Sequence, residues 1–572
     1  LVRDNRSEIR DRVLDFVGVS RRVVLRATRV YAETQRAALS ADSLTTVNLR
    51  GFELERLSRS SLIAGQPSPY WEAFHAELHD MEQMDIPYFD HELGSDVVRS
   101  SLGPITGILA SDGIAESIER IDSASDADMA WQVRLIRGAI TARYRTVNSP
   151  PPTHGATAPI PPPADDRSVV NQVLDSLARS AVTDGHGHNT WLVLSIISES
   201  EAVQLGLIGG GLYDGRAGLA ALLAVEPRPG PFTAHDVMAP MFESLSAPDP
   251  YTRFRFLRDF GLGWTGVGGL LRALEWLGSP TTSDEIGSVI EQLTVELVRR
   301  DQYLDLIGGV AGLVGPLARA YVSDPDPHRR ELLRTAATHL TDRQGADGGW
   351  PSRLGPRPLT GLSHGASGMG LALLEAGVAL GDDDVVSAGV LAFAYEAEVF
   401  DVSVGNWPDF REPTRHPTAS GTGYPSVPGA GFMTAWCHGA PGIALARLRA
   451  LELLPDHREA ARWRVELDRA LATTTNAPEP ANDHLCCGLT GRAAVLRIAG
   501  RALGAPEWVT ASDTLTDRVC THYAQAGHFR LPLGDPTDPR LATPQLMSGS
   551  VGIALHLSTR LHDTDLRGLL VP

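Results

Sequence analysis

The chain has 572 residues, and its 51 Lys and Arg against 69 Asp and Glu give a formal net charge of 51 − 69 = −18. An acidic chain repels the phosphate backbone, which argues against nucleic acid as a partner. No apolar run approaches the roughly 20 residues of a membrane span, and the charged segment 1–12 is unlike a signal peptide, so we expect a cytoplasmic protein without a membrane span.

The first predicted region, residues 1–148, is mainly α-helical. Helical patterns cover 13–39 and 71–84, and Pro87 disfavours helix at the residue before it. The chain begins with Leu rather than Met, which is consistent with a fragment of a longer polypeptide.

A Pro-rich segment follows, reading SPPPTHGATAPIPPP over residues 149–163. It is too poor in large apolar residues to bury anything and is typical of an extended tether. We therefore predict a linker over 149–168 and a second domain over 169–572.

The region 169–572 contains seven Gly-x-x-Gly pairs, each followed at once by a small-residue, leucine-rich helical pattern. The first glycines of the pairs are Gly215, Gly266, Gly309, Gly365, Gly439, Gly488 and Gly549. Between the pairs lies a second, more charged helical pattern, such as residues 283–300. One such pair is common by chance, but seven indicate a repeat architecture. Each repeat is predicted to be a helical hairpin with one buried and one outer helix.

Glycines at helix starts need a geometric cause, because glycine costs about 1 kcal/mol relative to alanine inside a helix. Close approach of neighbouring helix ends is the cause that we expect. Hairpins packed in this way can close into a ring, so we predict an all-α fold, an α/α toroid of seven inner and seven outer helices. Closure explains the absence of the polar capping repeats that an open helical array, the alternative, would need.

Chemistry-bearing side chains lie just before three of the glycine pairs. His364 precedes the fourth pair, Cys437 lies two residues before the fifth, and Cys486 and Cys487 precede the sixth. If all inner helices run in the same direction, these residues meet at one end of the ring. A single cysteine in a helical core is most often a packing residue, and Cys520, which has no such register, is assigned that role.

Three thiolates on one face suit tetrahedral Zn²⁺, and three protein ligands leave a fourth position open, as in catalytic sites. Such an ion binds an incoming thiol, lowers its pKa below the free value of about 8.5 and holds it as a nucleophilic thiolate. His364 would then protonate the carbanion that thiolate addition forms. Asp305, four residues before Gly309, either orients His364 or takes up the thiol proton. A lone His or Asp near a glycine turn is more often structural, so both roles depend on the metal.

Four segments in this order resemble the lanthionine synthetase cyclase family: DLIGGVAG at 305–312, LSHGASG at 362–368, WCHGAPG at 436–442 and CCGLTG at 486–491. The resemblance covers roughly residues 170 to 572. Many members have Cys-His where this chain has Cys486-Cys487. An arginine that some members place four residues before the first zinc cysteine is here Met433.

This resemblance implies that Cys437, Cys486 and Cys487 are zinc ligands and that His364 and Asp305 are an acid–base pair. The implied reaction adds a cysteine thiol of a precursor peptide to a dehydroalanine or dehydrobutyrine of the same peptide, which closes a thioether ring. The implied partners are this precursor, with its leader and core segments, and an export transporter.

A second resemblance rests on the N-terminal region, where residues 22–31 read RVVLRATRVY and residues 85–89 read DIPYF. Together they resemble the last part of the dehydratase domain of class II (LanM-type) lanthionine synthetases. The resemblance implies that Arg22 and Thr28 serve phosphate elimination, and an Arg clamp on a leaving phosphate is physically sensible. Without it, this pair is typical of a solvated helix face. ATP and Mg²⁺ would serve only the upstream part of such a domain, so we do not expect this chain to phosphorylate its substrate unaided.

Two other functions fit the same residues. The first is a zinc enzyme that attaches an external thiol such as glutathione to dehydrated residues, or a prenyl group to a protein cysteine. The second is a non-catalytic, peptide-binding toroid with structural zinc. Product mass distinguishes the first function from ring closure, because ring closure leaves the mass of the dehydrated peptide unchanged and an added thiol or prenyl group increases it. The coordination of the zinc distinguishes the second function, because only a site with an open position can activate a thiol.

Overall fold

A computed structural model of the protein describes residues 4–41, 43–58, 70–144, 165–184, 186–197, 202–226, 231–278, 280–411, 431–533 and 543–572. Residues 149–164 of the predicted linker lie outside the described residues, and a helix begins at Asp166. The chain divides into two compact units. The first is Leu1–Ile136 with Pro248–Thr252, and the second is Arg137–Ala247 with Arg253–Pro572.

The first unit is mainly helical and also contains a small antiparallel sheet that the sequence patterns did not indicate. Its described helices are Arg6–Leu14, Thr28–Ala38, Val47–Glu55, Phe74–Glu82, Ile114–Ser123 and the start of Asp126–Tyr144, with short 3-10 turns at Ser43–Thr45, Arg56–Ser58 and Trp71–Ala73. Its strands pair in chain order: Ser20–Val23, Phe89–Glu92, Val98–Ser100 and Gly103–Ile105. The helical pattern predicted over 13–39 is therefore interrupted, because Ser20–Val23 is hydrogen-bonded to Phe89–Glu92 as a strand.

The second unit is built on seven helices, each of which begins at one of the predicted glycine pairs. In chain order these inner helices are Arg216–Val225, Val267–Leu277, Ala311–Ser323, Ala366–Leu380, Ala440–Leu453, Leu489–Leu503 and Ser550–Leu561. Each inner helix contacts the next, and the seventh contacts the first. The inner helices therefore form a closed ring, as the predicted toroid requires.

An outer helix packs against each inner helix. The outer helices, in the order of their inner partners, are Ala234–Leu245, Pro280–Glu291, Pro327–Thr341, Asp383–Val399, Ala460–Asn476, Pro506–Ala526 and Asp166–Ser180. The outer partner of the seventh inner helix thus precedes the first inner helix in the chain. The two ends of the repeat region are joined by this pairing.

The remaining described elements of this unit are short. They are the helices Val295–Arg299 and Arg567–Leu570, the helix Pro250–Phe260 from Arg253 onward, and three antiparallel strand pairs. The pairs are Val182–Thr183 with Asn189–Thr190, Leu192–Ile197 with Ala202–Leu207, and Pro408–Asp409 with Gly431–Phe432. The pattern predicted as one helix over 283–300 is two helices, because the Thr294 side chain caps a new helix start. In the described residues, no helix is both long and apolar enough to cross a membrane.

The glycine pairs place the inner helices close together. A methyl group at Gly442 would overlap the carbonyl oxygen of Trp436 and press on Cβ of Leu362 in the neighbouring repeat. Gly439 has in addition a positive φ of 86°, which side chains other than glycine rarely adopt. The fourth inner helix, Ala366–Leu380, is buried over most of its surface and is apolar on all sides, as expected inside a ring. The predicted close approach of helix ends is therefore confirmed.

Candidate functional site

The residues directly before the inner helices lie at one end of the ring, and we call them the rim. The rim consists of residues 213–214, 264–265, 305–308, 363–364, 437–438, 486–487 and 547–548. Neighbouring rim segments are in contact; for example, the Ser363 amide donates to the Cys437 carbonyl over 3.0 Å. Residues that are far apart in the sequence are thus neighbours here, as the shared register predicts.

Three cysteine sulfurs meet on the rim. The Cys437 Sγ lies 3.3 Å from the Cys487 Sγ, which lies 3.4 Å from the Cys486 Sγ. All three atoms lie within 4.8 Å of one another, and among the described residues this is the one group of three or more His, Cys, Asp or Glu placed to hold a metal ion. The cysteines are free thiols, and two of them are buried. The structure thus brings together the three predicted ligands.

The chemistry of these sulfurs fits zinc. Hydrogen bonding to a neighbouring thiol, and after it burial, raises the pKa of both Cys437 and Cys487 well above its ordinary value. Three thiolates packed this closely repel one another, so a divalent cation is needed to hold all three in the ionised form. Thiolates at about 2.3 Å from a tetrahedral Zn²⁺ are about 3.8 Å from one another, close to the spacing found here.

Tyr213 is a rim residue that sequence reasoning missed. Its hydroxyl donates a hydrogen bond to the Cys486 Sγ over 2.9 Å. Burial, followed by the charges of the cysteines, raises its pKa well above the ordinary value, so Tyr213 is a neutral donor. The sequence does contain a signal for Tyr213. It lies two residues before Gly215, the same position that Cys437 and Cys486 occupy before the first glycines of their own repeats.

His364 and Asp305 form a hydrogen-bonded pair. The His364 Nδ1 lies 2.7 Å from the Asp305 Oδ2. The other carboxylate oxygen, Oδ1, accepts from the backbone amides of Ile307 and Gly308 at 3.0 and 2.8 Å. The carboxylate is therefore fixed by its own loop, and it fixes the imidazole in turn.

A second histidine, His438, follows Cys437 in the chain and packs near His364. Its ring centroid is 5.7 Å from that of His364, and its Nε2 is buried without a hydrogen-bond partner in the described residues. Burial, reinforced by the nearby Arg411 guanidinium, lowers the pKa of His438 to about 3, so this imidazole is neutral. His438 belongs to the motif WCHGAPG at 436–442, but the sequence alone gave it no role.

Arg411 brings a positive charge near the sulfur cluster. Its guanidinium is paired with Asp409, with Nη2 to Oδ2 at 2.6 Å, and contacts the Met433 Sδ at 3.3 Å. Burial acts to lower the pKa of Arg411, but the hydrogen bonds to Asp409 and the charges of Asp409, Cys437 and Cys487 raise it above the ordinary value. Arg411 is thus a permanent cation beside a cluster that becomes anionic when it holds a metal.

Buried polar side chains away from the rim anchor two of its loops. The Glu396 Oε1 accepts from the amides of Gly361 and Ser367 at 2.8 and 3.0 Å, on either side of His364. The Asn406 side chain donates to the Met433 carbonyl and accepts from the Ala440 amide, on either side of Cys437. Neither residue belongs to the repeat register, which is why the sequence pattern did not reveal them.

The other predicted residues lie apart from this cluster. Cys520 is buried in an outer helix, where its thiol faces the Asp166 carboxylate, consistent with a packing role. In the first unit, Arg22 lies in the strand Ser20–Val23 with its guanidinium 5.6 Å from the Tyr88 ring centroid. Thr28 is the exposed first residue of the helix Thr28–Ala38.

Comparison with known protein families assigns the chain. Residues 208–571, well over half of the chain, match the family model described as lanthionine synthetase C-like protein. The chain belongs to this family. Residues 1–92 match the model described as a domain of unknown function (DUF4135). Along the chain, the DUF4135 match comes first and the lanthionine synthetase C-like match follows it. Together, the two matches confirm the resemblance of this lanthionine synthetase C-like protein to LanM-type synthetases.

The other comparisons add less. The search of curated proteins gave no match. Among solved structures, nisin cyclase is 15% identical and aligns over 63% of this chain and 92% of its own, with a TM-score of 0.44. A sugar epimerase from a ruminal bacterium (8% identity, 69% and 98% coverage, TM-score 0.36) and an unsaturated glucuronyl hydrolase specific for heparin (11%, 70% and 98%, 0.34) are also similar. The family assignment rests on the family model.

Proposed function

We propose that this lanthionine synthetase C-like protein closes thioether rings in a precursor peptide, by adding cysteine thiols to dehydroalanine or dehydrobutyrine residues. The observation that carries the proposal is the three-cysteine cluster on a rim that also holds the His364–Asp305 pair. Family membership supports a peptide substrate. Nothing found supports the export transporter that the sequence resemblance had implied.

Cys437, Cys486 and Cys487 are the residues that would hold the zinc ion. When bound, zinc supplies an acidic centre that lowers the pKa of an incoming thiol and keeps it as a thiolate. Three thiolate ligands would give the zinc-loaded site an excess negative charge of −1, so the sulfur of a thiol held there would stay electron-rich. The Arg411 cation, whose charge acts on Cys437 and Cys487, offsets part of this excess.

The addition needs one proton transfer that residues of this chain perform. The thiol S–H bond breaks and its proton goes to solvent, a C–S bond forms at the β-carbon, and the π electrons of the dehydro residue move to the α-carbon, which takes a proton from an acid that solvent then reprotonates. We assign this proton to His364 Nε2, because Nδ1 is engaged with Asp305. Asp305 is better suited to orient His364 than to act as a base, since two backbone amides already hold its other oxygen.

Elimination chemistry is a separate part of the proposal and concerns the first unit. Arg22 is exposed on its strand and Thr28 is exposed at a helix start, so both side chains are accessible to a phosphorylated peptide. We propose that they serve phosphate elimination, with ATP and Mg²⁺ needed only for the preceding phosphorylation.

Ring closure is tested by incubating the full chain with a dehydrated, cysteine-containing peptide. We expect free thiols to disappear without any change in peptide mass, and a chelator to stop the reaction until zinc is restored. A mass increase would instead indicate transfer of an external thiol or prenyl group. Unchanged thiol content with zinc-loaded protein would favour a non-catalytic toroid.

Replacing Asp305 with asparagine tests the acid–base assignment. We expect the cyclisation rate to fall about a hundredfold, because the imidazole loses the carboxylate that orients it. Zinc content should not change. In single-turnover assays, adding Asp305→Asn to His364→Ala should cost no more than His364→Ala alone, since the two residues act as one unit. Additive losses would show that Asp305 acts independently of His364.

A further inference from the structure

Backbone hydrogen bonds join the rim segments around most of the ring. They close six of the seven junctions between neighbouring repeats, at Tyr213–Trp264, Trp264–Leu306, Leu306–Ser363, Ser363–Cys437, Cys486–Met547 and Met547–Tyr213, with N···O distances from 2.8 to 3.2 Å. The seventh junction lies between the rim segments that carry Cys437 and Cys486. Within the described residues, no backbone hydrogen bond crosses the rim there. We call this junction the seam.

The seam is therefore the place where the proposed metal ligands meet across two repeats. Cys437 comes from the fifth repeat, and Cys486 and Cys487 come from the sixth. The separation of their sulfurs depends on how firmly the two repeats are held together at the rim. A metal ion that had to draw two loose loops together would lose binding free energy in doing so.

One buried side chain bridges the seam beside the cysteines. Arg492 belongs to the sixth inner helix, five residues after Cys487, and is 6% exposed. Its Nε donates to the Thr434 carbonyl over 2.8 Å, in the loop that leads to Cys437. Its Nη1 donates to the carbonyls of Pro478 and Ala477 at 2.6 and 3.3 Å, directly after the outer helix of the fifth repeat. The guanidinium is thus hydrogen-bonded to the fifth repeat at two separate places.

We propose that Arg492 is a positioning residue, which holds the Cys437 loop at the distance from Cys486 and Cys487 that a shared metal ion requires. A planar guanidinium suits this role, because its rigid fork aims several donors at once at fixed acceptors. Hydrogen bonds from a charged donor are stronger than those between neutral groups. The inference rests on the proposed zinc site and names a residue outside its ligands.

The chain offers a matched control on the same helix. Arg497 is 5% exposed, and its Nε also donates to a carbonyl, that of Thr564, over 2.8 Å. Arg497 lies five residues further from the rim along Leu489–Leu503 and does not bridge the seam. Loss of either arginine removes a similar set of buried hydrogen bonds, but only Arg492 is tied to the Cys437 loop.

The test compares Arg492→Met with Arg497→Met in the full chain. Zinc affinity is measured by chelator competition, and the thiolate-to-metal absorption of the cobalt-substituted protein reports the number of sulfur ligands. We expect Arg492→Met to bind zinc about 10- to 100-fold more weakly, the range found for residues that support metal ligands, with three sulfur ligands retained. Arg497→Met should stay within about threefold of the parent. Arg492→Lys keeps the charge but loses the planar guanidinium, so we expect a smaller loss of zinc affinity than in Arg492→Met. It replaces Arg492→Met in the test if that variant does not fold.

The outcomes separate this inference from the proposed function. If the parent chain binds zinc and both the Arg492 variants bind it equally well, the positioning role is wrong and the metal site stands. Equal losses in Arg492→Met and Arg497→Met would show a general effect on stability and would also contradict the positioning role. If the parent chain binds neither zinc nor cobalt through sulfur, both the inference and the proposed function fail.

Discussion

Replacing Cys437 with alanine is expected to abolish zinc binding and to lower the rate of ring closure by about a hundredfold or more. Cys437 is the ligand that the fifth repeat contributes, so its loss leaves two adjacent thiols of the sixth repeat, too few for the site. A bound metal ion supplies several kcal/mol of charge stabilisation in reactions of this kind, and each 1.36 kcal/mol is a tenfold change in rate. Zinc content per chain and single-turnover loss of peptide thiol are the measurements.

Cys520→Ala is the matched control for this variant. Both cysteines are buried, at 5% and 2% exposure, but Cys520 lies on an outer helix away from the sulfur cluster. We expect Cys520→Ala to retain one zinc per chain and a cyclisation rate within about twofold of the parent, although some stability is lost through the small cavity. Full zinc content and full activity in Cys437→Ala would contradict the proposed site.

Replacing Arg447 with methionine is expected to destabilise the second unit by about 3 to 5 kcal/mol. The Arg447 side chain is fully buried, and its guanidinium lies 2.6 Å from Glu466 and 3.0 Å from Glu396. It also stacks on the Phe393 ring, with Cζ 3.9 Å from the centroid. Burial already raises the pKa of Glu396 above its ordinary value, against the effect of Arg447. Without the arginine, the fully buried Glu396 carboxyl group would lose its cation, and Glu466 would keep only Arg462, at 3.4 Å.

Urea unfolding followed by circular dichroism measures this loss, with a lower midpoint and an unchanged slope expected. Arg449→Met is the control on the same helix. Arg449 pairs with Glu375, which has a second cation nearby in Arg319, and Arg449 is a quarter exposed. We therefore expect its replacement to cost about 1 kcal/mol or less. Equal midpoints for the two variants would show that the buried network does not stabilise the unit.

The Arg447 network also has a consequence for the site. Glu396 accepts from the amides of Gly361 and Ser367, which flank His364. The Ser367 hydroxyl is in turn 3.1 Å from the Arg447 guanidinium. The loop that carries the proposed acid is thus fixed from inside the ring.

The ring and its sulfur cluster could be predicted from the sequence, because both follow from one register. Every inner helix starts at a glycine pair, so the position of a residue relative to that pair fixes its place on the rim. Cys437 and Cys486 share a position in their repeats, and His364 and Cys487 share the next. The same rule applied to the first repeat would have found Tyr213.

The supporting residues could not be predicted in this way, because they have no common register. Asp409 ends a short strand and Arg411 follows it, Glu396 lies on an outer helix, and Arg492 points across the seam. Their contacts join segments that no spacing in the sequence relates. The small sheet of the first unit was missed for a similar reason, since Ser20–Val23 is a strand only through its pairing with distant residues.

The pairing of Asp166–Ser180 with Ser550–Leu561 bears on how the protein is made. During synthesis the first of these helices leaves the ribosome long before its partner. Its apolar face therefore has no partner helix to pack against until nearly the whole of the second unit has been made. Contacts between such distant segments slow folding, because a long loop must close before they form. Unlike an open solenoid, which tolerates the loss of a terminal repeat, this architecture has no terminal repeat to lose.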